Sequence, residues 1–160
     1  MITKADTAFM HLAIELAGRA EAVGEVPVGA VLTFEDKVIA TTYNCVISSN
    51  DPTAHAEIEA IRVAGRVLKN YRLNDAVLYV TLEPCPMCAG AIIHSRISRV
   101  VFGAFDKNSG AAGSVFDILG SSKLNHNPIV IGGVERTTCA KLLTDFFKKR
   151  RPQSDGKFTP

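Results

Sequence analysis

Apolar residues at Phe9, Leu12, Ala13, Leu16 and Ala20 recur at helical spacing and give one apolar face to a helix expected over Thr3 to Ala22. Past Gly24 the pattern changes. Val26–Phe34 and Lys37–Asn44 read as two strands joined by a Glu35-Asp36 turn. Asp51-Pro52 supplies a cap and a proline suited to a first helical turn, which predicts a helix reaching Leu68. Ala76–Leu82 (AVLYVTL) is a short, nearly continuous apolar run, as expected of a strand covered on both faces. Pro86 opens another helix, to Ser95, and Arg99–Ala104 (RVVFGA) is the next strand, so a parallel pair with a right-handed crossover is expected there. Ser109–Ser114 reads as a Gly-rich loop, Val115–Leu119 as a helical turn, Ile129–Val134 as a fifth strand and Thr138–Arg150 as a final amphipathic helix. This order, αββαβαβ(α)βα, predicts an α/β fold of three layers: a mixed five-stranded sheet with helices on both faces.

The chain has 160 residues, 47% of them hydrophobic, and a formal net charge of +2. That size and balance fit one domain, expected over residues 1–151, with a disordered tail over residues 152–160. No apolar run approaches the roughly 18 residues of a membrane helix. The N-terminus carries Asp6, Glu15 and Glu21 in an amphipathic pattern without a signal-peptide core, so a cytoplasmic protein with no membrane partner is expected. The charge is unevenly spread. Residues 141–160 hold six basic side chains (Lys141, Lys148, Lys149, Arg150, Arg151, Lys157) against two acidic ones, while the preceding chain is mildly acidic. Such an end can touch a polyanion locally, or simply be a solvated helix end whose cations suit the dipole.

The chemistry concentrates in two segments, His55-Ala56-Glu57 and Pro84-Cys85-Pro86-Met87-Cys88, each at the start of an expected helix. Residues i and i+2 on a helix point about 200° apart, so His55 and Glu57 serve one site only if it lies over the helix end. Cys85 and Cys88 fit the same arrangement, Cys85 as cap and Cys88 one turn in. Two helix N-termini then converge on one point, and their partial positive charge favours the thiolates that metals bind. One His and two Cys suit zinc, and three protein ligands leave a fourth tetrahedral position for water, the mark of a catalytic site. A closed, structural site would need a fourth ligand. His94, six residues beyond Cys88, lies about 240° around the helix and faces away. Cys45, ten residues before His55, stays open as a candidate, although a buried inert thiol is its commoner role.

H-A-E, with P-C-x-x-C beginning 27 positions after the glutamate, is the signature of zinc-dependent nucleobase deaminases. Beyond it, the sequence resembles bacterial tRNA-specific adenosine deaminases over residues 5–151, through EVPVGAV (25–31), NDPTAHAEI (50–58), LYVTLEPCPMCAGAIIHSRI (78–97), VVFGAFD (100–106), GAAGS (110–114) and DFFKKRR (145–151). The resemblance implies a cytidine deaminase-like fold, a homodimer, one zinc per chain on His55, Cys85 and Cys88, and conversion of adenosine to inosine at the wobble position of a tRNA anticodon, with Glu57 shuttling protons. It further implies that Asn44 and the backbone around Ala56 hold the flipped base, and that Val28, Leu82, Glu83 and Pro84 shape its pocket. Asp106 is expected beside the ribose. Phe147, Lys148, Arg150 and Arg151, with Lys149, are expected to contact the anticodon stem-loop; of the adjacent Phe146 and Phe147, one must be core because neighbouring helical positions diverge by about 100°. Thr41–Tyr43 and Phe105 depart from the family pattern, which bears on loop-sequence preference and not on the metal chemistry. Two rivals stand beside this reading, a deaminase of free nucleosides, nucleotides or bases and an inactive zinc-stabilised RNA-binding module.

Overall fold

The computed structural model describes residues 1–151; the tail expected over residues 152–160 lies outside the described residues. Five strands form one sheet in the order β2-β1-β3-β4-β5, with β1 at Gly29–Phe34, β2 at Lys37–Tyr43, β3 at Val77–Leu82, β4 at Arg99–Ala104 and β5 at Ile129–Gly132. The hairpin makes β1 antiparallel to β2, and β1 also runs antiparallel to β3, whereas β3, β4 and β5 are parallel. The mixed five-stranded sheet is therefore the one expected, and the β3–β4 pair is parallel across its helical crossover.

Strand alternation divides the core in two. Ala30, Leu32, Leu78, Val80, Val100 and Phe102 point to the face covered by α3 (Ala56–Leu68) and α4 (Pro86–Ser95). Val31, Tyr79 and Val101 point to the other face, against Met10, Ala13 and Leu16 of α1 (Lys4–Ala22) and Cys139 of α5 (Arg136–Arg150). Both sets are buried because the central strands have a helix on each side, which explains why they lack a polar face. Small residues set the spacing. On α3, Ala56, Ala60 and Ala64 recur every fourth residue toward the sheet. At Gly29 a Cβ would stand 2.0 Å from the Ala13 carbonyl oxygen, so only glycine lets α1 lie this close to β1.

Helix α1 starts in a capping box: Thr3 N–H donates to Asp6 Oδ2 (2.8 Å) and Asp6 N–H donates to Thr3 Oγ1 (3.1 Å). The Asp6 carboxylate also takes both arms of Arg99 on β4, at 2.6 and 2.8 Å, and its side chain is 1% exposed. A residue that the sequence shows only as an acid on an amphipathic helix thus closes a buried, bidentate ion pair.

Two expectations are corrected. Asp51-Pro52 does not open α3: Asp51 Oδ1 accepts from Thr53 N–H (2.8 Å) and Thr53 Oγ1 (2.7 Å), making a side-chain-closed turn, and the helix begins at Ala56. The segment before that turn instead holds a short helix, α2 (Val46–Ser49). Residues 115–119 are not helical, because Ala112 pairs with Asp117 in an isolated bridge and Val115 and Phe116 N–H both donate to the Gly110 carbonyl at 3.0 Å.

Candidate active site

His55 is the N-cap of α3 and Cys85 the N-cap of α4, both with extended backbone, and neither side chain makes a capping hydrogen bond. That leaves the imidazole and the thiol free beyond the helix ends. Cys88, one turn into α4, completes a group in which His55 Nδ1, Cys85 Sγ and Cys88 Sγ all lie within 4.8 Å of one another. Nδ1 is 3.6 Å from Cys85 Sγ and 3.5 Å from Cys88 Sγ. Tetrahedral zinc, with arms of about 2.0–2.1 Å to nitrogen and about 2.3 Å to sulfur, requires nitrogen–sulfur separations of about 3.5 Å, so the three donors fit the ion. A bond from Cys88, and then one from His55, pull the Cys85 thiol down to about 4, while the Cys85 sulfur and burial push Cys88 upward. Their competition for protons reflects three donors facing one point. Cys45 is not in the group: its thiol lies against the Ala54 carbonyl, 3.8 Å away. His94 is exposed on the outer side of α4, and no fourth protein donor joins the cluster among the described residues.

The start of α3 is fixed from β2. Asn44 Oδ1 accepts the Ala56 N–H (2.8 Å) and Thr42 Oγ1 donates to the Ala56 carbonyl (2.7 Å), both buried. Both backbone groups of Ala56 are therefore engaged within the protein, and the Asn44 Nδ2 is the part of that side chain without a partner among the described residues. Glu57 is 4% exposed, and burial pushes its carboxyl up to about 7, with a bond from its own backbone N–H acting against the rise. A buried carboxyl held near neutrality can take a proton and return it at physiological pH.

These groups line a cavity of about 320 Å3, toward the small end of ligand sites. Val28, Asn44, His55, Glu57, Leu82, Glu83, Cys85 and Asp106 border it. Val28 belongs to the core as well. Pro84 is buried and not part of the lining, its carbonyl accepting from Ala111 N–H (2.8 Å). Sequence reasoning missed Glu25, Val26, Val46, Ile47 and Ser109 in this lining. Glu25 had one signal: a carboxylate at the head of the apolar segment EVPVGAV. It is 2% exposed, and Oε1 accepts the Ser48 N–H at 2.7 Å, which holds α2 over the cavity.

Val26, Leu82, Asp106 and Ser109 are shared with a neighbouring groove of about 640 Å3, whose far wall is Leu143, Thr144, Phe147, Lys148 and Arg151 of the α5 end. Phe146 is the core member of the aromatic pair and Phe147 is half exposed. The structure divides the basic cluster. Lys148 and Arg151 line the groove, whereas Lys149 pairs with Glu21 (3.3 Å) and Arg150 donates to the Gly24 carbonyl (2.6 Å) with its guanidinium over the Phe146 ring. Arg150 is thus not brought to the groove. Asp106 accepts from Asn108 N–H (2.9 Å) and Ser109 N–H (3.2 Å) on Oδ1 and from Ser109 Oγ (2.7 Å) on Oδ2.

Known proteins resemble this chain in sequence and fold. The chain matches the family described as the cytidine and deoxycytidylate deaminase zinc-binding region over residues 3–104, a span that contains all three donors and Glu57. It is 51% identical to the tRNA-specific adenosine deaminase of Haemophilus influenzae over 92% of this chain and 86% of that one. With the Bacillus subtilis protein of the same name it shares 44% identity over 91% of each. Among solved structures, one from work on A-to-I editing by tRNA A34 deaminases at the wobble position superposes with a TM-score of 0.83 at 44% identity, covering 86% of this chain and 99% of that one. A guanine deaminase of Nitrosomonas europaea superposes at 0.78 with 25% identity, covering 91% and 86%. Identity of this extent over nearly the whole length of its relatives, on a shared fold, means that the chain belongs to the zinc-binding cytidine and deoxycytidylate deaminase family, among its tRNA-specific adenosine deaminases.

Proposed function

We propose that this chain hydrolyses adenosine to inosine and ammonia at the wobble position of a tRNA anticodon, with His55, Cys85 and Cys88 holding one zinc ion and Glu57 moving the protons. The observation that carries the reading is the single cavity in which a zinc-competent donor set meets a buried carboxyl outside that set. When bound, zinc supplies Lewis acidity, which makes hydroxide available near neutral pH. Glu57 takes one proton from the attacking water and delivers it to N1 as C6 is attacked; the same carboxylate then takes the second proton from the new C6 hydroxyl and passes it to the C6 amino group, which leaves as ammonia as the C6–N bond breaks and the carbonyl forms. The Asn44 amide, already oriented by Ala56 N–H, presents Nδ2 to the base. Val28 and Leu82 exclude water around it.

The adjoining groove supports an anticodon stem-loop as the partner: Phe147 offers a face for stacking, and Lys148 and Arg151 offer charge to phosphates. Asp106, between groove and cavity, is placed to meet the ribose. The proposal includes a single deaminase domain over residues 1–151, a cytoplasmic location and a homodimer. Exposed Met87 on α4, and exposed Leu124 in the groove along that helix, support a second copy there. No helix among the described residues is long and apolar enough to cross a membrane.

The likeness to a guanine deaminase favours one rival, a deaminase of free bases. One experiment separates them: purified protein is incubated with total tRNA and, separately, with free adenosine, cytidine and guanine. Inosine in tRNA alone supports the proposal, and product only from free substrates replaces it.

A further inference from the structure

Glu83 borders the cavity, yet its carboxylate is already occupied. The side chain belongs to a residue 1% exposed. Oε1 accepts from Ala112 N–H (3.0 Å) and Ser114 N–H (3.1 Å), and Oε2 accepts from Asp106 N–H (3.0 Å) and from the Ser114 hydroxyl. A carboxylate has about four acceptor positions, so no position is left for a nucleotide. All four donors belong to one loop, residues 105–114, which follows β4. Glu83 itself follows β3 directly and stands two residues before Cys85. The next residue adds a fifth tie, from Ala111 N–H to the Pro84 carbonyl at 2.8 Å. Gly110 lets the loop close on this carboxylate, because a Cβ there would stand 2.5 Å from both Glu83 Cδ and the Asp106 carbonyl oxygen.

We propose that Glu83 is a positioning residue for the reaction: without touching the nucleotide, its carboxylate ties the 105–114 loop to the strand end bearing Cys85, and so sets the register between the groove and the catalytic cavity. Asp106 and Ser109, which border both spaces, are carried on the tethered loop. The proposal rests on the RNA-deaminase reading for what lies in the groove. Register has a binding consequence: a loop released from Glu83 no longer holds Asp106 and Ser109 where the groove meets the cavity, so affinity for the RNA falls while the groups that carry the chemistry keep their places. Glutamine is a demanding probe. Its oxygen can keep two of the four bonds, but its NH2 would face donors.

The test compares the zinc-loaded full-length protein with Glu83→Gln and Gly110→Ala, the second leaving the carboxylate intact but pushing the loop away from it. Zinc content, hydrogen exchange, Kd for an anticodon stem-loop RNA, and KM and kcat on that RNA are measured. Both variants should keep zinc, exchange faster at residues 106–114 but not in α3 or α4, and raise Kd and KM at least about tenfold. Their kcat at saturation should stay within about threefold of the parent, a split that separates positioning from chemistry. Zinc loss, or a fall in kcat at unchanged KM, in both variants assigns Glu83 to the metal centre and overturns the proposal. Unchanged loop exchange in both overturns it too, and that measurement needs no substrate. Should Glu83→Gln not fold, Gly110→Ala decides. A parent protein that deaminates no RNA counts against the functional reading instead, and the exchange data still judge the tether.

Discussion

Replacing Asp106 by asparagine tests how the groove tells ribose from deoxyribose. The loop already uses three of the roughly four acceptor positions of this carboxylate: Asn108 and Ser109 N–H on Oδ1, and the Ser109 hydroxyl on Oδ2. One position remains, on Oδ2, enough for a single 2′-hydroxyl. Asparagine keeps the oxygen that holds the two backbone bonds, and its NH2 can donate to Ser109 Oγ, so the loop should keep its shape while the last acceptor disappears. A hydrogen bond to a charged group is worth about 1.5–3 kcal/mol. Its loss predicts a fall in kcat/KM on RNA of about 10- to 150-fold. A hairpin with deoxyadenosine at the target position has no such bond to lose, and the variant removes a negative charge from beside its backbone. The assay is kcat/KM for parent and variant on matched RNA and DNA hairpins. Asp106→Ala is the control, since it also releases the loop and should weaken both substrates. An RNA-to-DNA ratio unchanged in Asp106→Asn would refute the reasoning and move discrimination to the pocket around Asn44.

Glu57→Ala should retain zinc and fold while activity falls by at least about 10²–10⁴, the range for a positioned proton-transfer group; Cys85→Ser or Cys88→Ser should lose zinc and activity together, as read by metal analysis and inosine formation. Lys148→Gln with Arg151→Gln should weaken RNA binding and lower the slope of log K against log salt by roughly 0.7–0.9 per lost phosphate contact. Lys149→Gln, whose partner is Glu21, should leave that slope unchanged, and equal effects at the two places would refute the division of the cluster. The bonds from Arg99 hold the Asp6 carboxyl below the usual carboxylate range, so its stabilisation is present above about pH 4 and fades as pH falls through its folded pKa. Acid unfolding followed by circular dichroism should therefore show a flatter pH dependence in Asp6→Asn. That variant should also lose about 3–5 kcal/mol at neutral pH through the unpaired, largely buried Arg99, and curves of equal shape would remove the pair from the acid response.

The metal donors were legible in the sequence because each is fixed by its own local structure. An N-cap residue with extended backbone aims its side chain beyond the helix whatever surrounds it, so H-A-E and P-C-x-x-C carry their geometry with them. The strands were legible for the same reason, their apolar runs showing that both faces of β3 and β4 would be covered. Asp51-Pro52 misled because a cap and a proline serve a side-chain-closed turn as well as a helix start, and the choice depended on Thr42 in β2 and Asn44 just after it binding the backbone of Ala56.

Sequence alone determined the three-layer α/β order, the two helix ends that carry His55, Cys85 and Cys88, and the identity of Glu57 as the acid beside them. Tertiary structure decided everything that depends on distant segments meeting. It placed Glu25 beneath α2, turned Arg150 toward Gly24 and away from the groove, and gave the Glu83 carboxylate to a loop more than twenty residues further on. The physical reason is range. Capping and strand alternation are set by bonds within a few residues, whereas the partner of a buried carboxylate is whichever donor the packed sheet brings to it, and the same glutamate in the sequence would satisfy a nucleotide or a loop equally well.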